Sequence, residues 1–180
     1  MKIIEKINQA KGQTLFSFEV LPPFKGVDIN TYFSAIEPLM DFDPAFIDVT
    51  YHREDHENKL QADGTYKKVV TRKRPGTVGI CAAIIHRFGI DPVPHLICGG
   101  FNVEETENAL IDLHFLGIDN ILALRGDAIK SEGVFHPTPG GHHYASDLIE
   151  QIAKMNKGIY LDDELTNAKE TNFCIGIAAY

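Results

Sequence analysis

Five clusters of polar residues follow apolar runs in this sequence, and each carries groups able to hold or protonate a ligand. They are Glu19 ahead of Leu21-Pro22-Pro23, Thr50-Tyr51-His52, His95 with Cys98-Gly99-Gly100, Arg125-Gly126-Asp127, and Ala178-Ala179-Tyr180. In parallel α/β folds the ligand lies beyond the carboxyl ends of the strands, so this recurrence marks a site. Glu19 stands between Phe18 and Val20. Apolar flanks strip a carboxylate of water, raise its pKa and suit it to donate a proton near neutrality. A surface glutamate on an edge strand, or one paired with an arginine, fits the same pattern. Arg125 and Asp127 can position a polar cofactor while Gly126 lets backbone approach it closely; an ordinary strand-to-helix turn reads the same way. His95 lies inside an apolar strand after Pro94, either satisfied by a core neighbour or facing a ligand.

The remaining histidines form no dense ligand pattern. His142 and His143 are adjacent, so their side chains diverge, and His52 and His56 bracket the polar Arg53-Glu54-Asp55. HExxH is absent, and no resident metal is expected. GxGxxG, GxxxxGK[ST] and GxSxG are absent too, which argues against a Rossmann fingerprint, a Walker A loop and an α/β-hydrolase elbow. Any nucleotide cofactor must then be held by strand-end side chains. Two competing classes stand beside a cofactor enzyme. One is a metal-dependent barrel hydrolase or aldolase using His52, His95, His142 and Asp127; the other is a catalytically incomplete fragment.

The elements that must position these residues alternate. Residues 15–20, 46–50, 93–98, 121–124 and 173–179 are short and apolar on both faces, as buried parallel strands are. Ile29, Tyr32, Phe33, Ile36, Leu39 and Met40 share one helical face, with Asp28 placed to cap it. Val103, Leu110, Leu113 and Leu116 form a second such face, opened by a variant capping box of Asn102 and Glu105 and closed by Gly117. Ala145, Leu148, Ile149, Ile152 and Met155 form a third, stopped near Gly158. Residues 75–89 carry a proline in front and a glycine behind, which favours helix over strand. The result is a strict β-α alternation, hence a parallel sheet wound either as a doubly wound sheet or as a (β/α)8 barrel. Residues 52–74 and 157–171 stand outside the scheme, as excursions of the kind that in α/β folds are commonly functional or insertional, and the basic cluster Lys67-Lys68 with Arg72-Lys73-Arg74 reads as a solvated linker.

Composition bounds the rest. The 180 residues are 44% hydrophobic and 23% charged, with a net charge of -8, as in an ordinary globular domain. That acidity argues against nucleic acid or an anionic membrane as partner. Cys81, Cys98 and Cys174 lie in separate apolar runs and read as buried free thiols of a reducing compartment. The first residues lack the apolar stretch of a signal peptide, and a cytoplasmic location is expected.

Taken in order, Phe16-Ser17-Phe18-Glu19 with Pro22-Pro23, Asp48-Val49-Thr50-Tyr51, Pro94-His95-Leu96-Ile97-Cys98, Leu116-Gly117-Ile118, Leu122 to Asp127, Tyr144 to Leu148 and Ile177 to Tyr180 resemble the methylenetetrahydrofolate reductases. The resemblance runs along nearly the whole chain. It implies a (β/α)8 TIM barrel, here about its first five β/α units in a single domain 1–180, with FAD at the strand ends. It implies an oxidoreductase acting on CH-NH donors. NAD(P)H, as co-substrate, reduces the flavin and leaves; the flavin then passes a hydride to 5,10-methylenetetrahydrofolate in a ping-pong cycle. The product, 5-methyltetrahydrofolate, feeds methionine synthesis in one-carbon metabolism. Glu19 matches the general acid and Asp127 an aspartate that tunes flavin and supports the pterin, so both are catalytic and substrate-binding candidates. Thr50, Tyr51, His95, Arg125, Gly126, Asp127, Tyr144, Ala145, Ala178 and Tyr180 match cofactor-contacting positions. The implied partner is a small-molecule folate, with a homo-oligomer left open. Two departures stand out. Glu-Val-Leu-Pro-Pro replaces a commoner second aromatic pair, a packing change. A barrel of this type also runs to about 250 residues. A partial chain lacking the last three strands is therefore expected, with exposed sheet edges and weak flavin binding.

Overall fold

The computed structural model describes residues 1–128 and 133–178. In chain order the elements are α1 (Ile3–Ala10), β1 (Ser17–Val20), α2 (Ile29–Ile36), a 3-10 turn (Glu37–Phe42), β2 (Phe46–Val49), β3 (Asp55–Leu60), β4 (Tyr66–Arg72), α3 (Thr77–Phe88), β5 (Pro92–Ile97), α4 (Val103–Phe115), β6 (Asn120–Leu124), α5 (Ala145–Met155) and β7 (Cys174–Ile177).

Five strands form one parallel sheet in the order β1-β2-β5-β6-β7. The order never reverses, whereas a doubly wound sheet reverses at its switch point. A helix lies in each crossover between neighbouring strands of this sheet. Strand alternation then sorts the side chains. Ile47, Val49, Leu96, Ile121 and Ala123 face the helices and join Ile36, Ile84, Leu110, Leu113, Leu148 and Ile152 in one core. Each of these large side chains, nearly or wholly removed from water, contributes about 1.5–3 kcal/mol. The opposite face carries Phe46, Asp48, Val93, His95, Leu122 and Gly176.

At its amino-terminal end this inner face is covered by α1, an element absent from the sequence-based scheme. Ile3 and Ile7 face Phe46, Val93, Leu122 and Cys174 across a cavity of about 340 Å³. Polar bonds from distant strands fix the helix: Ile3 N–H donates to Asn120 Oδ1 at 2.8 Å, and Lys6 Nζ donates to Ala45 O at 2.5 Å.

Three other expectations are corrected. The helix starting at Ile29 does not run on to Met40 but gives way to the 3-10 turn at Glu37, because Pro38 lacks an N–H and its ring crowds the preceding turn. The basic cluster is not a linker, and the excursion 52–74 is structured. It holds the antiparallel hairpin β3–β4, closed by Gln61 N–H to Thr65 O at 2.7 Å. Lys67 and Lys68 lie in its second strand, Lys73 pairs with Glu54 at 2.8 Å, and Arg74 lies over the Phe24 ring at 3.9 Å and donates to Pro22 O. Cys81 and Cys98 are buried, whereas Cys174 is only half-buried beside α1; all three are free thiols. The capping box is as expected, with Glu105 N–H donating to Asn102 Oδ1 and Asn102 N–H to Glu105 Oε2, both at 2.8 Å. Among the described residues no helix is long and apolar enough to cross a membrane.

Candidate functional site

Parallel register sets Glu19 on β1 beside Asp48 on β2. Asp48 Oδ1 in turn stands 3.5 Å from His95 Nε2 on β5. Two carboxylates and an imidazole thus cross three adjacent strands on the inner face. His95 is 5% exposed, and its Nε2 is buried without a hydrogen-bond partner. Glu19 differs from expectation: its side chain is exposed, not wrapped in apolar groups. The reason is positional. Phe18 and Val20 point to the opposite face from Glu19, and among the described residues β1 is an edge strand with no strand on its outer side.

The Arg125-Gly126-Asp127 turn leaves β6 at the carboxyl end of the sheet. Gly126 has φ +82°, and a Cβ built on it would lie 3.1 Å from both Cβ and Cδ1 of Ile97 on the neighbouring strand. The positive φ favours glycine there, and a side chain would also crowd Ile97. The turn borders a cleft of about 550 Å³ whose other walls are Ala145 and Ser146 at the start of α5 and Ile177 and Ala178 at the end of β7. Small residues on both sides keep it open. Arg125 and Asp127 are exposed at its mouth. The Arg125 guanidinium lies 5.2 Å from the Phe135 ring, and Arg125 also borders a second cleft of about 470 Å³ with Phe135, His143 and Tyr144. Tyr144 N–H donates to Asp147 Oδ2 at 3.0 Å, closing the first turn of α5.

The loops after β2, β5 and β6 are laced together above the sheet. Thr50 is buried, and its hydroxyl donates to Val20 O at 3.4 Å, tying the end of β2 to β1. Tyr51 packs on Phe101 with ring centroids 4.8 Å apart. Burial, followed by the charges of Glu54 and Glu105, raises its phenol pKa despite the opposing Arg53. Arg53 lies over Gly99, where a Cβ would come within 2.8 Å of its Cδ, and Arg53 donates to His136 O at 3.3 Å. Gly100 N–H donates to Thr138 Oγ1 at 2.8 Å. Burial, then Asp147, pushes the Cys98 thiol up to about 11, so it is no nucleophile at neutral pH.

Glu19, Thr50, Tyr51, His95, Arg125, Gly126, Asp127 and Ala178 therefore share the sheet and its carboxyl-terminal rim, Ala145 at the start of α5 closes the larger cleft, and Tyr144 borders the second one. Tyr180 lies outside the described residues. The histidines of the metal reading are dispersed: His95 abuts Asp48, while His142 Nε2 is 2.5 Å from Gln151 Oε1. Among the described residues no group of three His, Cys, Asp or Glu side chains is placed to hold a metal ion. Sequence reasoning passed over Asp48, although a charge between Ile47 and Val49 in a buried strand was a visible signal. It also passed over Phe101 and Phe135, which support Tyr51 and Arg125.

The profile of the family described as Methylenetetrahydrofolate reductase matches residues 3–180. The chain belongs to this methylenetetrahydrofolate reductase family. It is 31% identical over 183 residues to Methylenetetrahydrofolate reductase 1 of Schizosaccharomyces pombe, covering 100% of this chain and 25% of that protein. It is 29% identical over 154 residues to Methylenetetrahydrofolate reductase (NADH) 1 of Arabidopsis thaliana, covering 84% of this chain and 23% of that protein. With 5,10-methylenetetrahydrofolate reductase of Escherichia coli it shares 29% over 151 residues, 84% of this chain and 44% of the bacterial protein. The chain thus spans about a quarter of the plant and fungal reductases and under half of the bacterial one. Among the described residues, Glu19, Thr50, Tyr51, His95 and Arg125 to Asp127 are the motif residues gathered on the sheet and its carboxyl-terminal rim.

Proposed function

We propose that this chain forms part of a flavoenzyme that reduces 5,10-methylenetetrahydrofolate to 5-methyltetrahydrofolate with NAD(P)H as donor, in ping-pong fashion, in the cytoplasm. Its five β/α units are read as consecutive units of a (β/α)8 barrel. One observation carries the proposal: polar residues stand on successive strands of one unreversed parallel sheet, at whose carboxyl-terminal end the Arg125-Gly126-Asp127 turn borders a cleft.

The residues present fit FAD. A cleft of about 550 Å³, bordered by Gly126, Ala145, Ser146 and Ala178 with Arg125 and Asp127 at its mouth, has the size and small-residue walls of a cofactor site. Arg125, Gly126, Thr50, Tyr51, His95, Tyr144, Ala145 and Ala178 are the proposed holding residues, with Tyr180 beyond the described part. FAD, when bound, supplies the hydride chemistry; the protein orients it and sets its surroundings. Asp127 places a negative charge at the mouth of the cleft, where it disfavours added negative charge and supports a cationic folate. Glu19 is the proposed acid that protonates the departing folate nitrogen.

The test is anaerobic spectroscopy on the purified full-length protein. The flavin band should bleach on adding NADH or NADPH and return on adding 5,10-methylenetetrahydrofolate, with 5-methyltetrahydrofolate formed. A colourless protein that carries zinc, or a flavin-loaded protein whose band neither nucleotide bleaches, would overturn the proposal.

A further inference from the structure

We infer that Asp48 is a positioning residue that holds the imidazole of His95 in the tautomer protonated at Nε2, leaving Nδ1 as the ring's acceptor. The inference rests on the reading of His95 as a cofactor contact. His95 sits on β5, the middle strand of the sheet, every residue of which is buried. Its side chain is 7% exposed and Nε2 has no hydrogen-bond partner, an unfavourable state for a buried polar atom. Asp48 Oδ1 lies 3.5 Å from that nitrogen, on a side chain only 20% exposed. A movement of about 0.6–0.8 Å brings the two to the length of a charge-assisted hydrogen bond. An ionised carboxylate only accepts, so the bond requires a proton on Nε2. The partner of one ring nitrogen decides what the other can do, and the choice of tautomer thereby passes from Asp48 to the ligand side of His95.

The register gives Asp48 a second neighbour of consequence. Glu19 lies beside it on β1, so Asp48 stands between the proposed acid and the proposed cofactor contact. Its remaining surroundings include Ile3, Phe46, Val93 and Asn120, none of them charged. Asn120 is already engaged, accepting from Ile3 N–H and donating to Met1 O. Asp48 is thus left to His95 and Glu19, and of these only the imidazole can donate when Glu19 is ionised.

The experiment is nitrogen NMR of the imidazoles in the full-length protein freed of flavin, followed by FAD titration. Wild-type His95 should show the Nε2–H tautomer. Asp48→Ala should release the ring into a mixture with the Nδ1–H form and weaken FAD binding about tenfold. Asp48→Asn, whose amide oxygen still accepts, should restore both. An Nδ1–H tautomer in the wild-type protein overturns the inference, even if the alanine variant fails to fold. So does an unchanged tautomer in Asp48→Ala, or an asparagine variant that behaves as the alanine one. A wild-type protein that binds no FAD strikes the flavoenzyme reading instead, because the tautomer is measured without cofactor.

Discussion

The ammonium of Lys6 stands 2.7 Å from the carboxylate of Asp91, joining the amino-terminal helix to the turn that leads into β5. The Met1 amine reaches the same carboxylate at 3.0 Å, and Lys6 also donates to Ala45 O. Burial alone would raise the Asp91 pKa, but Lys6 and the amine outweigh it and hold the carboxyl below its ordinary 3.8. As pH falls, the unfolded chain therefore takes up this proton first. The latch contributes in full above the ordinary carboxylate range and fades as pH drops below it. Asp91→Asn should cost about 1 kcal/mol at neutral pH, with the difference from wild type shrinking in acid. Urea titrations at pH 7 and near pH 3 would check this; a constant difference would remove charge from the account.

Gly126→Ala meets two obstacles together, a positive φ and the Ile97 side chain. A loss of about 1–3 kcal/mol is expected, together with weaker FAD binding, because the turn can relieve the crowding only by moving into the cleft. Denaturation and FAD titration of the same sample give both quantities. Unimpaired FAD binding would show that the turn does not border the cofactor.

Asn156 holds the approach to the last strand by three bonds. Its Oδ1 accepts from Thr171 Oγ1 and from Phe173 N–H, both at 2.8 Å, and its Nδ2 donates to Phe173 O at 2.9 Å. Asn156→Ala leaves part-buried backbone groups unpaired and should destabilise the protein by about 2–3 kcal/mol. Asn156→Asp keeps the two accepting bonds and should fall between. Thermal melts of the three proteins would rank them, and equal melts for Asp and Ala would contradict the account.

The two carboxylates assigned to chemistry should separate in the two half-reactions. Glu19→Gln should leave flavin reduction by NADH nearly intact while slowing folate reduction by about a hundredfold or more. Equal losses in both would remove Glu19 from the acid role. Asp127→Asn should raise the flavin midpoint potential, and an unchanged potential would count against electrostatic tuning by that carboxylate.

What could be read in the sequence was what local chemistry determines. The Asn102–Glu105 box, the strand at Ile121 and the glycine of the turn after Leu124 each depend on neighbours a few residues away. The features that escaped depend on remote partners. Helix α1 is short and draws its fixings from Ala45, Asp91 and Asn120. The β3–β4 hairpin has little apolar content and exists through cross-strand pairing of residues such as Glu57 with Val69. The exposure of Glu19 follows from which strand occupies the edge, and the approach of Asp48 to His95 follows from the register of β2 against β5. Neither is written in the flanking residues.

The hairpin also makes the scaffold modular. It leaves the main sheet after β2 and returns at α3, while the pairing of Ile47 with Pro92 and of Val49 with Pro94 proceeds beneath it. Its tip, where Asp63 Oδ1 accepts from Thr65 N–H at 2.9 Å, is an exposed reverse turn. A foreign peptide spliced at that tip would leave every strand of the parallel sheet in its place. The chain thus carries a ready socket for an epitope, an affinity handle or a reporter fluorophore at the same end of the sheet as the cleft.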